Sequence, residues 1–233
     1  MLSSTKVGRV FLNAPSRRRS PSRLALTALL TLACAIATHA FEVRLTEPKG
    51  QPIADAIVSL VPVGAPAPLS PPATPVVVTQ RGQEFFPYTT PIVVGTEVTF
   101  FNDDKVEHHI YSASGAKKFE LPRAGGQTKN SVSFEKAGVV AIGCNIHDWM
   151  SAYVVVLTTP FFATSTATGA ATLPEVPAGR YRLEIWHPRL AKPDVRELTL
   201  PASSAAPLGV KLSLSPDRRI RRAPVSAGGG SYK

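Results

Sequence analysis

The chain has 233 residues, 44% of them hydrophobic and 18% charged, which allows one domain or two small ones with packed cores and excludes wholesale disorder. Its formal net charge of +10 sits at the two ends. Residues 1–40 hold six Lys/Arg and no acid, residues 217–233 hold five against Asp217 alone, and residues 41–216 are left neutral with 15 of each sign, a distribution that argues against a nucleic-acid-binding face.

The N-terminal 40 residues read as a secretory signal peptide. Arg17, Arg18, Arg19 and Arg23 precede an uncharged run from Leu24 to Ala37. Its 14 residues are too few for a bilayer-spanning helix, which takes roughly 20. Small residues follow, so cleavage is expected after Ala40, with Ala37 the second choice. That processing places the mature chain in the periplasm with no transmembrane segment. Leu32-Ala33-Cys34 hints at a lipoprotein anchor at Cys34, although Thr31 stands at the usual leucine position. If Cys34 leaves with the signal, Cys144 is a lone cysteine in an oxidising compartment: a free thiol, an intermolecular bridge or a metal ligand.

Strand signals dominate from residue 41 onward. Phe41, Val43 and Leu45 alternate with Glu42, Arg44 and Thr46, the period of a half-buried strand. A turn at Pro48-Lys49-Gly50 leads to an apolar stretch over 54–61. Five prolines between Gly64 and Pro75 mark a linker. Strand character returns at 76–79, 91–94, 97–101, 132–134, 138–144 and 152–157. It recurs at 171–173, 181–186, 198–200 and 210–214. No window after residue 40 sustains a helical period, so the spacing predicts an all-β chain of sandwich type. The basic tail over 215–233, with Gly228-Gly229-Gly230, is expected to be disordered.

The informative stretch runs from Gly138 to Val156, a strand, a short loop and a strand. The loop carries Cys144, His147 and Met150 within seven residues. Thiolate, imidazole and a weak thioether, joined by a second imidazole, make the donor set of a blue-copper site. The segment Asn102 to Tyr111, with His108 and His109, offers that imidazole, His108 lying 36 residues upstream of Cys144. Zinc rarely takes a thioether. A Cys144–His147 hydrolase dyad lacks an orienting third group and an oxyanion loop. Phe119 to Pro122, and His187 in Trp186-His187-Pro188, read as structural.

From about Val76 to Leu157 the chain resembles a cupredoxin, and its Cys-x-x-His-x-x-Met spacing is similar to that of amicyanin. The resemblance implies one copper ion held by His108, Cys144, His147 and Met150. It implies a one-electron carrier and not an enzyme, served by a redox partner such as a dehydrogenase or a cytochrome c. It assigns the first ligand to His108, in Glu107-His108-His109-Ile110, where the family has Pro-His-Asn-Val. Glu107 and His109 thus depart from the pattern, as does Asp148 where amicyanin has proline. Residues 41–63 and 158–214, with Gly50 to Ala56 and Pro177 to Leu183, resemble the two parts of the transthyretin-like domain found beside carboxypeptidases. The expected architecture is therefore a cupredoxin Greek-key β-sandwich over 76–157, inserted after a Pro-rich linker over 64–75 into a small transthyretin-like β-sandwich. This arrangement is similar to proteins labelled methylamine-utilisation or plastocyanin-like. Copper storage, delivery or sensing without redox turnover is the alternative function. The presence of only two methionines, Met1 and Met150, argues against it.

Overall fold

The structure, a computed structural model, describes residues 38–64, 66–201 and 206–219. The expected signal peptide therefore lies outside the described residues up to position 37, as do Cys34 and the tail from 220. Among the described residues there is no helix, hence none long and apolar enough to cross a membrane. Two strands precede the Pro-rich linker: β1 (Thr38–Thr46) and β2 (Ile57–Pro62). Nine follow it: β3 (Val76–Arg81), β4 (Glu84–Phe86), β5 (Thr89–Val93), β6 (Thr96–Asn102), β7 (Ile110–Ser114), β8 (Lys117–Glu120), β9 (Lys129–Phe134), β10 (Gly138–Cys144) and β11 (His147–Leu157). The chain ends with β12 (Phe162–Thr164), β13 (Ala170–Pro177), β14 (Gly179–Trp186), β15 (Asp194–Leu200) and β16 (Leu208–Lys211).

The strands form two sandwiches with separate cores. Sheets β13-β1-β16 and β12-β2-β14-β15 enclose a core that includes Val43, Leu45, Leu60, Leu173, Leu183 and Ile185. The alternation read over 41–46 does the local work: Phe41, Val43 and Leu45 point into this core while Arg44 faces water. The sequence 41–62 cannot close a core alone. It does so only with residues from beyond 160, because β2 pairs antiparallel with β14 (Leu60 opposite Leu183) and β1 with β13 (Phe41 opposite Leu173). Sheets β4-β3-β6-β9 and β5-β11-β10-β7-β8 enclose the second core, built on Phe100, Phe134, Ile142 and Val154.

The second sandwich is inserted in the first. The chain leaves the host after β2 and returns as β12, and these two strands are hydrogen-bonded neighbours, with Phe162 opposite Ser59 and Thr164 opposite Ile57. Thr159 Oγ1 donates to the carbonyl of Leu60 at 2.6 Å. Exit and return therefore lie side by side, the condition under which a loop accepts an inserted domain at little cost to its host. β1 begins at Thr38, which pairs with Pro177, so cleavage after Ala37 leaves the strand whole and cleavage after Ala40 shortens it.

Polar and aromatic contacts join the two sandwiches. Thr89 Oγ1 donates to the carbonyl of Asp55 at 2.9 Å, and the rings of Tyr153 and Trp186 meet edge to face at 5.3 Å. Residues 215–219, expected in a disordered tail, are held here. Ser215 and Arg189 exchange hydrogen bonds of 2.9 and 2.6 Å, and the Arg219 guanidinium lies 4.1 Å over the Tyr88 ring. The partners of these residues, Arg189 and Tyr88, come from connections distant in sequence, so composition alone gives no sign of the contacts.

His187 follows β14 and is 5% exposed, its Nδ1 accepting from the Arg189 N–H at 3.1 Å. Burial disfavours the imidazolium, and the charges of Arg189 and Arg219 add to the penalty against a small opposing effect of Asp217, which pushes the pKa down to about 4 from 6.5. The unfolded chain gains a proton near pH 6.5 that the folded chain refuses until about pH 4. Stability is therefore complete above pH 6.5 and falls as pH drops through that window, by roughly 2–3 kcal/mol at pH 4.5. Urea unfolding at pH 7.5 and 4.5 checks this. The parent should lose that increment relative to His187→Gln, and equal pH dependence in both would contradict it.

Candidate metal centre

Strand alternation brings the candidate donors to one end of the inserted sandwich. Along β10, Val140, Ile142 and Cys144 point inward, so the thiol is the last core side chain before the turn at Asn145-Ile146. The pairing of Cys144 with His147 closes that turn, and the register of β10 against β11 shifts between Gly143 and Cys144. Along β11, Met150, Ala152 and Val154 point inward in the same way. His108 lies between β6 and β7, in a two-way backbone bridge with Ala124 (3.0 and 3.1 Å), and Cys144 pairs with Ile110 next to it. The register of β7 against β10 thus brings together residues 36 apart in sequence.

The Cys144 Sγ lies 3.8 Å from His108 Nδ1 and 3.5 Å from His147 Nδ1, and the three donor atoms fall within 4.8 Å of one another. A first-row ion about 2.3 Å from sulfur and about 2.0 Å from nitrogen, at an angle of 110–120°, sets N···S separations of roughly 3.5–3.7 Å. The two N···S separations, 3.5 and 3.8 Å, thus lie close to those that a single bound ion would set. Cys144 and His108 are buried, while His147 is partly exposed. Met150 is 2% exposed, packs in the same core cluster as Cys144, and lines a surface cavity with it.

The surroundings of Cys144 shift its thiol toward ionisation. Burial works against the Cys144 thiolate, but hydrogen bonding with His108 and from the backbone N–H groups of His109 and Ile146 outweighs it and holds the pKa below the ordinary thiol range. His108 is likewise penalised by burial, yet its hydrogen bonds to Cys144 and Asp104 raise its pKa. The thiolate is the form that binds a metal.

The sequence reading missed Asp104. Its Oδ2 accepts from His108 Nε2 at 2.9 Å, leaving His108 Nδ1 to face the sulfur. Burial opposes the Asp104 charge, but hydrogen bonds from the Gln83 N–H, His108 and the Gly82 N–H keep its pKa below the usual carboxylate range. The available signal was an acid four residues before a candidate ligand, an ambiguous one in a run of two aspartates. His109 turns elsewhere: its Nε2 meets Glu120 Oε1 at 2.9 Å and its Nδ1 lies 3.4 Å from Asn145 Nδ2. The two adjacent histidines thus face different neighbours.

No family model matches the chain, and no curated protein matches it. Similar solved structures include a purple cupredoxin from Nitrosopumilus maritimus, 28% identical over 35% of this chain and 99% of that one, with a TM-score of 0.33. A copper-containing nitrite reductase from Thermus scotoductus is 29% identical over 41% of this chain and 25% of that one, with a TM-score of 0.35. An amicyanin variant is 23% identical over 36% of this chain and 82% of that one, with a TM-score of 0.34. Each likeness spans a minority of this chain, so the chemistry of the centre rests on its own geometry.

Proposed function

We propose that the chain is a periplasmic type 1 copper protein acting as a one-electron carrier, with His108, Cys144, His147 and Met150 as its copper ligands. The observation that carries this reading is the convergence of one thiol and two imidazole nitrogens within 4.8 Å at the end of a β-sandwich. Bound copper supplies the one-electron couple, with thiolate and thioether favouring Cu(I) and the imidazoles accepting Cu(II). The chain supplies the frame. Cys144 and His108 are fixed in the core, and Asp104 holds the His108 ring by its far nitrogen. His147 reaches the surface, where a redox protein such as a dehydrogenase or cytochrome c would approach. A donor set with Cys144, His108 and Met150 buried suits a carrier better than a delivery protein, which must release its metal. The flanking sandwich is read as transthyretin-like on the strength of its Gly50 to Ala56 and Pro177 to Leu183 segments.

An absorption spectrum tests the proposal. Cu(II) added to the purified metal-free protein should bind one to one and develop an intense blue or green thiolate-to-copper band. A colourless complex, or no binding, would overturn the reading.

A further inference from the structure

We infer that the two-residue turn Gly82-Gln83, between β3 and β4, is a positioning element of the metal centre: it ties the segment bearing His108 to the strand bearing His147. This inference rests on the copper reading above and adds to it a part of the chain that contributes no ligand.

The turn is held from two sides. On one side the Asp104 carboxylate accepts from the Gly82 N–H at 2.6 Å, the Gln83 N–H at 2.9 Å and His108 Nε2 at 2.9 Å. Its own N–H donates to Asn102 Oδ1 at 2.9 Å, and the Asp103 N–H donates to the carbonyl of Gln80 at 2.9 Å. On the other side, Trp149 Nε1 donates to the carbonyl of Gln83 at 3.1 Å, and the Trp149 ring lies 5.5 Å from that of His147. Gln83 therefore uses its N–H toward one half of the donor set and its carbonyl toward the other.

This exceeds what a hairpin needs. Closure of β3 on β4 is supplied by the Arg81–Glu84, Gln80–Phe85 and Thr79–Phe86 pairs, and the N–H groups at the tip of an exposed hairpin ordinarily face water. Here they are bound by a carboxylate more than 20 residues away. Gly82 and Gln83 sit at φ 61° and 59°, the left-handed pair that a two-residue hairpin turn uses, and this conformation turns both N–H groups to the Asp104 carboxylate.

The consequence is geometric. With Nε2–H committed to Asp104, the His108 ring presents Nδ1 toward Cys144 in one orientation. With its indole N–H committed to Gln83, Trp149 fixes the start of β11 two residues after His147. Because both bonds end on the same turn, the two ligand-bearing segments share one support.

A double-mutant cycle in the full chain tests this, using Asp104→Ala, Trp149→Phe and the double variant. Two readouts are taken: Cu(II) affinity, and the side-chain Nε2–H resonance of His108 in the 15N-labelled metal-free protein. Asp104→Ala should lower copper affinity 10–100-fold, the usual effect of removing an outer partner of a ligand histidine, and should abolish the hydrogen-bonded Nε2–H resonance. Asp104→Asn, which keeps the size and one acceptor oxygen, should give a smaller loss in the same direction. Trp149→Phe, which removes the bond to the Gln83 carbonyl and keeps an aromatic ring beside His147, should shift the His108 resonance. The double variant should depart from the product of the single effects by more than about threefold. Effects that multiply independently, or a His108 resonance indifferent to Trp149→Phe, would overturn the inference. A parent that binds no copper would overturn the proposed function instead, and the resonance of the metal-free protein would still decide the role of the turn.

Discussion

Serine in place of Cys144 should abolish the visible band of the copper-loaded protein and weaken copper binding by more than about 100-fold. Partners one shell further out are already worth 10–100-fold, and the thiolate is the donor that carries the charge-transfer transition. In this chain the thiol is poised for the role. His108 and two backbone N–H groups hold it toward the thiolate despite burial, whereas a serine hydroxyl stays protonated in the same place. The fold should survive. Serine is close to cysteine in size, and the same hydrogen-bonding groups remain to satisfy its oxygen, so the stability cost should stay within about 2 kcal/mol. Absorption and urea unfolding on one sample separate the two effects. A retained band would remove Cys144 from the centre, and a globally unfolded variant would show the thiol to be a core residue first.

The two cores should respond differently to the same kind of damage. Phe100 is 1% exposed, lies in the core that contains Cys144 and Met150, and packs 5.7 Å from Phe119. Phe100→Ala should cost roughly 3–5 kcal/mol and should also broaden or shift the copper band, because the strands behind the donors relax into the cavity. Leu183 is fully buried in the other core, opposite Leu60. Leu183→Ala should cost roughly 2–5 kcal/mol and leave the band unchanged wherever the protein is folded. Urea titrations followed by fluorescence and by the copper band measure both quantities. A band disturbed equally by both substitutions would show that the sandwiches do not hold the centre independently.

Of the fold, the stretches with their own periodicity were legible. Alternation over 41–46 and 181–186 marked β1 and β14, and the apolar run over 138–144 marked β10. The short strands β4, β7, β8 and β12 went unread. Three to five residues such as Lys117–Glu120, with Phe119 half-buried between charged neighbours, have too short a period to detect and become strands only when a neighbour supplies the ladder. β12 exists because β2 lies alongside it, which is a fact about the return of the chain and not about Phe162–Thr164.

The centre divides along the same line. Local sequence determined which atoms are offered. Cys144, His147 and Met150 fall within seven residues on one strand–turn–strand unit, and a period of two points Cys144 and Met150 inward without reference to the rest of the molecule. Tertiary structure decided which histidine joins them and what holds it. His108 and His109 are chemically equal neighbours in sequence, and only the pairing of β7 with β10 sets one against the sulfur while the other meets Glu120. The Asp104 carboxylate and the Gly82-Gln83 turn enter in the same way, through hydrogen bonds that span 4 to 66 residues. Donor identity is a property of side chains and their local period, and a sequence displays it directly. Donor selection depends on contacts between distant segments, which exist only once the sheets have set their registers.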